Sequence, residues 1–384
     1  MERTLIFWLD GPPICCKGVF DAVSNLWEGE VYYILTRKID ENRAKIVNND
    51  KVNNCRAKYI ILTQMSEPEK YAVKFLKDHI DDIHVFNGYM SNSSKYLNQL
   101  LKMNNKAKTI VWAERPGFRG SEKSKINKWL IDNLYVIRHR YFAMKYRNKV
   151  SALLPIGGKG VSGYERCGWK KNALFPLLYL PEMNESVLPK YERSEIIRFI
   201  YLGRFSALGK GTDILIDACR KLKGNKYKLT MVGGYGDYKD QTLAYIEQNP
   251  HLEFGGTWKI DEACDRLSEY DVCIVPSRFE GWNVTVNEAL MAGIGCIVTD
   301  EAVSDELVTA SKAGLVVKAG DSSVLAEAMD QVMRNPNIIP VWKQNAVGFR
   351  PKMTANACAN YFISILNYVF SDEKSGRPIP PWQG

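Results

Sequence analysis

Short apolar runs rich in β-branched and aromatic residues occupy positions 5–9, 31–36, 58–63, 82–86, 109–112 and 152–156. Between them, 19–27, 68–79 and 94–103 carry apolar residues at helical spacing. Strands alternating with helices predict βαβ units, and so a parallel sheet covered on both faces. A polar stretch bounded by Pro181 and Pro189 interrupts the series. A second series then runs through 196–202, 227–232, 271–275, 296–298 and 315–317, with helices near 212–222, 261–269, 285–292 and 322–334. The pattern predicts an α/β chain of two doubly wound, Rossmann-like domains facing across a cleft, residues 1–185 and 195–345. Residues 346–384 read as a C-terminal helix, centred on 355–370, and a tail; a return of that helix to the first domain is one reading. The end from 376 to 384, with its Pro and Gly residues, reads as a loose tail.

Composition narrows the class. With 46% hydrophobic and 25% charged residues over 384 positions, the chain has material for two buried cores, which excludes disordered and fibrous classes. The apolar run at 5–9 is far shorter than the ~20 residues of a spanning helix, and no signal-peptide cleavage pattern follows it. None of the nine cysteines forms a C-x-x-C pair, and Cys219, Cys264, Cys273 and Cys296 sit inside apolar patterns, as buried thiols do in a reducing cytoplasm. Four scattered histidines give a zinc site little material. Charge is uneven. Residues 1–190 carry 31 Lys+Arg against 19 Asp+Glu, and 191–384 carry 21 against 24, so +12 faces −3. An anionic partner for the first half and a merely solvated basic surface are both open readings.

The densest chemical signal is Phe279-Glu280-Gly281-Trp282-Asn283-Val284-Thr285-Val286-Asn287-Glu288, which follows a strand and runs into a helix. That places it at the carboxyl end of a parallel strand, where open α/β sheets bind ligands. Amide groups near Asn283, Val284 and Thr285 would receive a phosphate, and Glu288, one turn in, would accept sugar hydroxyls. Thr285 to Glu288 equally fits a simple capping box. A second loop, Gly203 to Thr212, sets Arg204 and Lys210 beside a helix start capped by Thr212. Its spacing is not that of a nucleoside-triphosphatase P-loop.

Taken in order, these segments resemble the retaining glycosyltransferases of family 4, the group 1 enzymes of the GT-B fold. The resemblance covers about 196–335: Gly203, Arg204, Lys210 and Gly211 as G-R-x5-K-G; the Gly233-Gly234 turn; the strand end Phe254 to Trp258; and Pro276 to Gly293 as P-S-x-x-E-G-x6-E-A-L-x-A-x-G. It implies that Arg204 and Lys210 hold a donor diphosphate and act in catalysis with Glu280, which contacts the transferred sugar. Gly203, Gly234, Trp258, Asn283, Val284 and Thr285 would complete the nucleotide-sugar site, with Glu288 on the ribose. Trp282 and Asn283 replace the commoner Phe-Gly, and Cys296 stands where Pro is usual. A UDP- or GDP-linked donor, with no cofactor and no metal, follows from the resemblance.

The first domain resembles the family loosely. Lys17 and Gly18 follow its first strand, where Gly18 would let the backbone approach the diphosphate and Lys17 would face the acceptor; an ordinary strand-to-helix turn is the alternative. Glu114 ends a later strand, either orienting the acceptor or pairing with Arg115 or Arg119. Gly157-Gly158-Lys159-Gly160 closes the last strand of this domain, as a lining of the cleft or as a plain turn. Residues 121–150, at +6 with interleaved aromatics, fit either a membrane-surface helix on anionic lipid or a domain helix with solvated cations.

The expected function is transfer of a sugar, with retention, to a saccharide or lipid-linked acceptor in surface polysaccharide or glycolipid synthesis, including lipopolysaccharide, by a cytoplasmic protein peripheral to the inner face of the plasma membrane. A soluble-acceptor enzyme of the same fold, such as a disaccharide synthase or an epimerase, is one alternative. A non-catalytic nucleic-acid-binding protein is the other, disfavoured because both carboxylates and both cations are kept, so no nucleic-acid partner is expected.

Overall fold

A computed structural model describes residues 3–37, 55–117, 125–188, 190, 195–371 and 376–384, with the backbone alone over 125–132. Of the basic segment, 121–124 and the side chains of 125–132, including those of Lys123, Lys125 and Lys128, lie outside the described residues, as does Arg119.

Six strands, β1 (Leu5–Leu9), β2 (Val31–Leu35), β3 (Lys58–Ile61), β4 (Ile83–Asn87), β5 (Lys108–Ala113) and β6 (Ala152–Pro155), form the first sheet. Their order is β3-β2-β1-β4-β5-β6, all parallel. The second sheet holds β7 (Ile197–Leu202), β8 (Tyr227–Val232), β9 (Leu252–Phe254), β10 (Val272–Val275), β11 (Gly295–Thr299) and β12 (Gly314–Val317). Its order, β12-β11-β10-β7-β8-β9, repeats the topology of the first. Strand order reverses beside β1 and β4 in one sheet and beside β7 and β10 in the other, and crevices open at such points. Most of these strands are apolar on both faces, since helices cover both sides: β1 and β11 are buried at every position.

Helix Ala355–Phe370 leaves the second domain and packs on helix Lys17–Leu26 of the first, with Phe362 stacked on Phe7. One apolar cluster therefore runs from Phe7 and Phe20 through Phe362 to Val286 and Leu290. The end of the chain is not a loose tail. Arg377 donates to the Asn172 carbonyl at 3.0 Å and lies over the Phe175 ring, and Trp382 is buried against Tyr361. A guanidinium with carbonyl acceptors and a large indole to bury outweigh the local Pro-Gly signal.

Local corrections follow from backbone needs. Gly157-Gly158-Lys159-Gly160 is the first turn of helix Gly157–Arg166 rather than a turn. Helices Lys239–Glu247, Asp305–Ser311 and Ile338–Phe349 escape the sequence pattern, and the last straddles residue 345. Lys343 in it is buried, donating to the Tyr270 carbonyl at 3.1 Å beside the Asp271 carboxylate.

Candidate active site

β7 ends at Leu202, and the chain then loops through Gly203 to Gly211 before helix Thr212–Lys221. Gly211 has φ +66°, and a Cβ there would stand 2.0 Å from the Pro276 carbonyl oxygen, so the loop is pressed against the end of β10. Thr212 is not the cap. Its Oγ1 accepts from the Ser206 amide at 3.0 Å, inside the loop, and Gly211 holds the cap position. The fold of this loop carries Lys210 to Glu280, with Nζ 2.7 Å from Oε1 and both side chains mostly buried. Ser277 Oγ donates to the same carboxylate oxygen at 3.0 Å. Arg204 is exposed and makes no ion pair among the described residues.

Helix Val284–Ala292 begins where the second loop ends. Asn283 caps it, accepting from the Thr285 amide at 3.0 Å, which removes the capping-box reading of Thr285 and Glu288. The Val284 amide, at the first helical position, has no intrahelical acceptor. Glu288 is thereby left to the crevice. Burial pushes its carboxyl up to about 8, against the pull of the Lys210 ammonium. An open cavity of about 270 Å³ is lined by these parts together with Gly233, Gly234 and the segment Thr257 to Ile260 that follows β9.

A larger cavity, about 500 Å³, opens at the switch point of the first sheet. Tyr89, Trp112, Tyr135, His139, Tyr164 and Tyr179 give it an aromatic lining, with Asp10 and Glu114 among its polar groups. Tyr179 donates to Glu114 Oε1 at 3.1 Å. The other carboxylate oxygen abuts Gly281 of the second domain, where an added Cβ would meet it at 2.1 Å.

Further contacts join the domains. Arg115 Nη2 lies 2.7 Å from Glu301 Oε2, and its guanidinium stacks on Phe279 at 3.9 Å. The Gly158 amide donates to Glu306 Oε2 at 2.9 Å, and burial lifts that carboxyl to about 7. Buried Val303 holds φ +66°, rare for a β-branched residue, in the same loop region.

The family model described as Glycosyl transferases group 1 matches residues 197–335. The match falls on the second domain, which is thus similar to the group 1 glycosyltransferases. An uncharacterised glycosyltransferase of Methanocaldococcus jannaschii is 24% identical over 177 residues, 46% of this chain and 49% of the relative. The lipopolysaccharide 1,6-galactosyltransferase of Escherichia coli is 31% identical over 127 residues, 31% of this chain and 34% of the relative. The chain thus spans about half or less of these relatives. Anabaena HepE, solved with UDP and glucose, superposes with a TM-score of 0.68 at 13% identity, covering 95% of this chain and 99% of that one. The two-domain α/β architecture is therefore that of GT-B glycosyltransferases.

In the second domain, Gly203, Arg204, Lys210, Gly234, Trp258, Val284, Thr285 and Glu288 all line the smaller cavity. Glu280 reaches it through Lys210, and Asn283 sits behind it as the cap. Lys17 and Gly18 are elsewhere. The Gly18 amide donates to the Leu180 carbonyl at 3.2 Å and a Cβ would meet the Pro181 carbonyl, so the glycine serves a chain crossing rather than a diphosphate. Lys17 pairs with Asp21 and Glu182. Glu114 lines the larger cavity, while Arg115 turns to the second domain, not to Glu114. The sequence reading missed Tyr235, Lys259, Ile260 and Ala263 on the smaller cavity, and Glu301 and Glu306 at the domain contact. For Arg115, the one available signal was its place just past a strand end.

Proposed function

We propose that the chain transfers a sugar from a UDP- or GDP-linked donor, with retention, to a saccharide or lipid-linked acceptor in surface polysaccharide or glycolipid synthesis. The observation that carries this reading is the convergence of Arg204, Lys210, the Val284 amide and buried Glu288 on one cavity at the switch point of the second sheet. Two cations and a helix N-terminus suit a diphosphate; a buried carboxylate suits vicinal ribose hydroxyls. The named activity of the Escherichia coli relative and the UDP and glucose bound by Anabaena HepE support the same reading.

The donor bond from the anomeric carbon to the phosphate oxygen breaks as negative charge grows on the diphosphate, and Arg204 and Lys210 meet that charge without a metal ion. The departing oxygen takes the proton of the acceptor hydroxyl as that hydroxyl bonds the same face of the sugar. Glu280 holds Lys210 and orients sugar hydroxyls. Glu114, at the rim of the aromatic cavity, orients the acceptor. A thermal-shift screen of nucleoside diphosphates and their sugars tests the donor: ligand at 100 times its Kd adds ~2.7 kcal/mol to stability. The anomeric configuration of the product, read by NMR, tests retention. A flat response to every uridine and guanosine diphosphate would overturn the assignment.

A further inference from the structure

The first half of the chain and its cavity carry charge of opposite sign. Residues 1–190 sum to +12, yet among the described residues the cavity at the switch point of the first sheet is lined by two carboxylates, Asp10 past the end of β1 and Glu114 past the end of β5. Arg115, also on the lining, is engaged across the cleft with the Glu280 carbonyl, Glu301 and the Phe279 ring. Lys17 is engaged with Asp21 and Glu182. Burial, with Arg138 adding to it, pulls the His139 imidazole down to about 4, so that group faces the cavity uncharged at neutral pH. Both carboxylates are held in place. Asp10 accepts from the Ser93 amide at 3.0 Å and the Asn92 amide at 3.3 Å. Glu114 accepts from the Tyr179 hydroxyl at 3.1 Å, while Tyr164 donates to its backbone carbonyl at 2.8 Å. β4 separates β1 from β5, so the two strand ends lie about 10 Å apart.

We propose that this cavity takes one non-anionic sugar residue, neutral or amino, as the acceptor terminus and turns away a uronic acid or a sugar phosphate. Resting on the glycosyltransferase reading, this narrows the acceptor by its charge. A pyranose carries hydroxyls around its rim and C–H groups on its faces. The rim donates charge-assisted bonds to carboxylates, and a face lies on an aromatic ring such as those of Trp112, Tyr89 and Tyr164. One ring bridges the two strand ends when hydroxyls on opposite sides each reach a carboxylate. An anionic substituent held within that span lies about 5 Å from Asp10 or Glu114, where like charges discriminate between ligands by repulsion. An ammonium is drawn in by the same field and by the ring faces.

The test is a footprint of a thiol on the cavity wall. Cys15 lines the cavity and is exposed, whereas Cys16 beside it is buried. Iodoacetamide labelling of Cys15 in the full chain, read by mass spectrometry, is followed against the methyl glycosides of glucose, galactose, mannose and glucosamine and against the methyl glucuronide, galacturonide and mannuronide. At least one neutral or amino glycoside is expected to protect Cys15, with the uronides needing roughly tenfold or more higher concentration for equal protection. Asp10→Asn and Glu114→Gln should each shrink that ratio several-fold while the neutral glycoside still protects, because the amide keeps an accepting oxygen and loses the charge. Uronides that protect as well as their neutral partners overturn the proposal, as does a ratio unmoved in both variants or a Cys15 that no glycoside protects. Thermal shift by UDP and GDP, measured on the same samples without sugar, separates the readings. Glycoside protection without any nucleotide response overturns the transferase assignment and leaves the sugar cavity standing, whereas a nucleotide response with uronides preferred overturns this inference alone.

Discussion

Arg115 Nε donates to the Glu280 carbonyl oxygen at 2.8 Å across the cleft, so the first domain grips the loop whose carboxylate holds Lys210. Planarity matters here, because the same guanidinium stacks on Phe279 and forks toward Glu301. Arg115→Lys keeps the charge and loses the fork. A shift of 1 Å in a reacting group costs about 10²-fold, so steady-state kinetics should show kcat down on that order, with UDP binding retained.

Lys210→Ala and Arg204→Ala should each lower turnover about 10²- to 10³-fold, the loss expected for one preorganised donor to a leaving group. Their stabilities should differ. Lys210→Ala strands the buried Glu280 carboxylate and costs on the order of 3 kcal/mol, whereas Arg204, exposed and without an ion pair among the described residues, should leave Tm unchanged. Calorimetry beside rate measurements checks both.

The carboxyls of Glu288 and Glu306, raised to about 8 and about 7, tie stability to pH. A carboxyl that holds its proton more tightly when folded contributes fully below its unfolded pKa and loses that contribution as pH rises through the folded value. The ligand-free protein should therefore weaken between about pH 4.5 and pH 8, by at most about 1.4 kcal/mol per pH unit for each group. Urea unfolding at a series of pH values reads the slope. Glu288→Gln should flatten it and, above about pH 8 where the parent carboxyl is ionised, weaken nucleotide binding, because the amide loses the charge-assisted bonds to ribose.

Gly211→Ala should destabilise the second domain by about 1 to 3 kcal/mol, since φ +66° and the Pro276 carbonyl at 2.0 Å both exclude a Cβ. Loss of turnover should accompany it, as Lys210 adjoins the displaced residue. Thermal unfolding with and without UDP would expose a tolerated substitution.

The parallel sheets were legible because strands buried on both faces, such as Leu5–Leu9 and Gly295–Thr299, are apolar throughout and alternate with helical spacing. The smaller cavity was legible too, because its residues cluster in two short loops at strand ends, Gly203 to Gly211 and Phe279 to Glu288. Contacts that form only when two domains meet leave no local period. Arg115 reaching the Glu280 carbonyl across 165 positions, and the Gly158 amide meeting Glu306, are of this kind. Gly18 misled because a glycine beside a helix start looks the same whether it admits a ligand or a crossing chain. Helix Lys239–Glu247 was missed because its apolar positions are too evenly spread to show a face.

Because helix Ala355–Phe370 rests on the first domain, the polypeptide crosses between domains twice, and the two crossings touch: Arg350 donates to the Val187 carbonyl at 2.6 Å and the Ala355 amide to Glu185 at 2.8 Å. The second domain is thus an insertion hung on a paired seam. A single tether would let it swivel freely, whereas two adjoining ones leave rotation about their common line as the soft motion, like a book about its spine. Opening would then part Arg115 from Glu280 and Gly158 from Glu306 together, while the seam at Val187 and Arg350 stays shut.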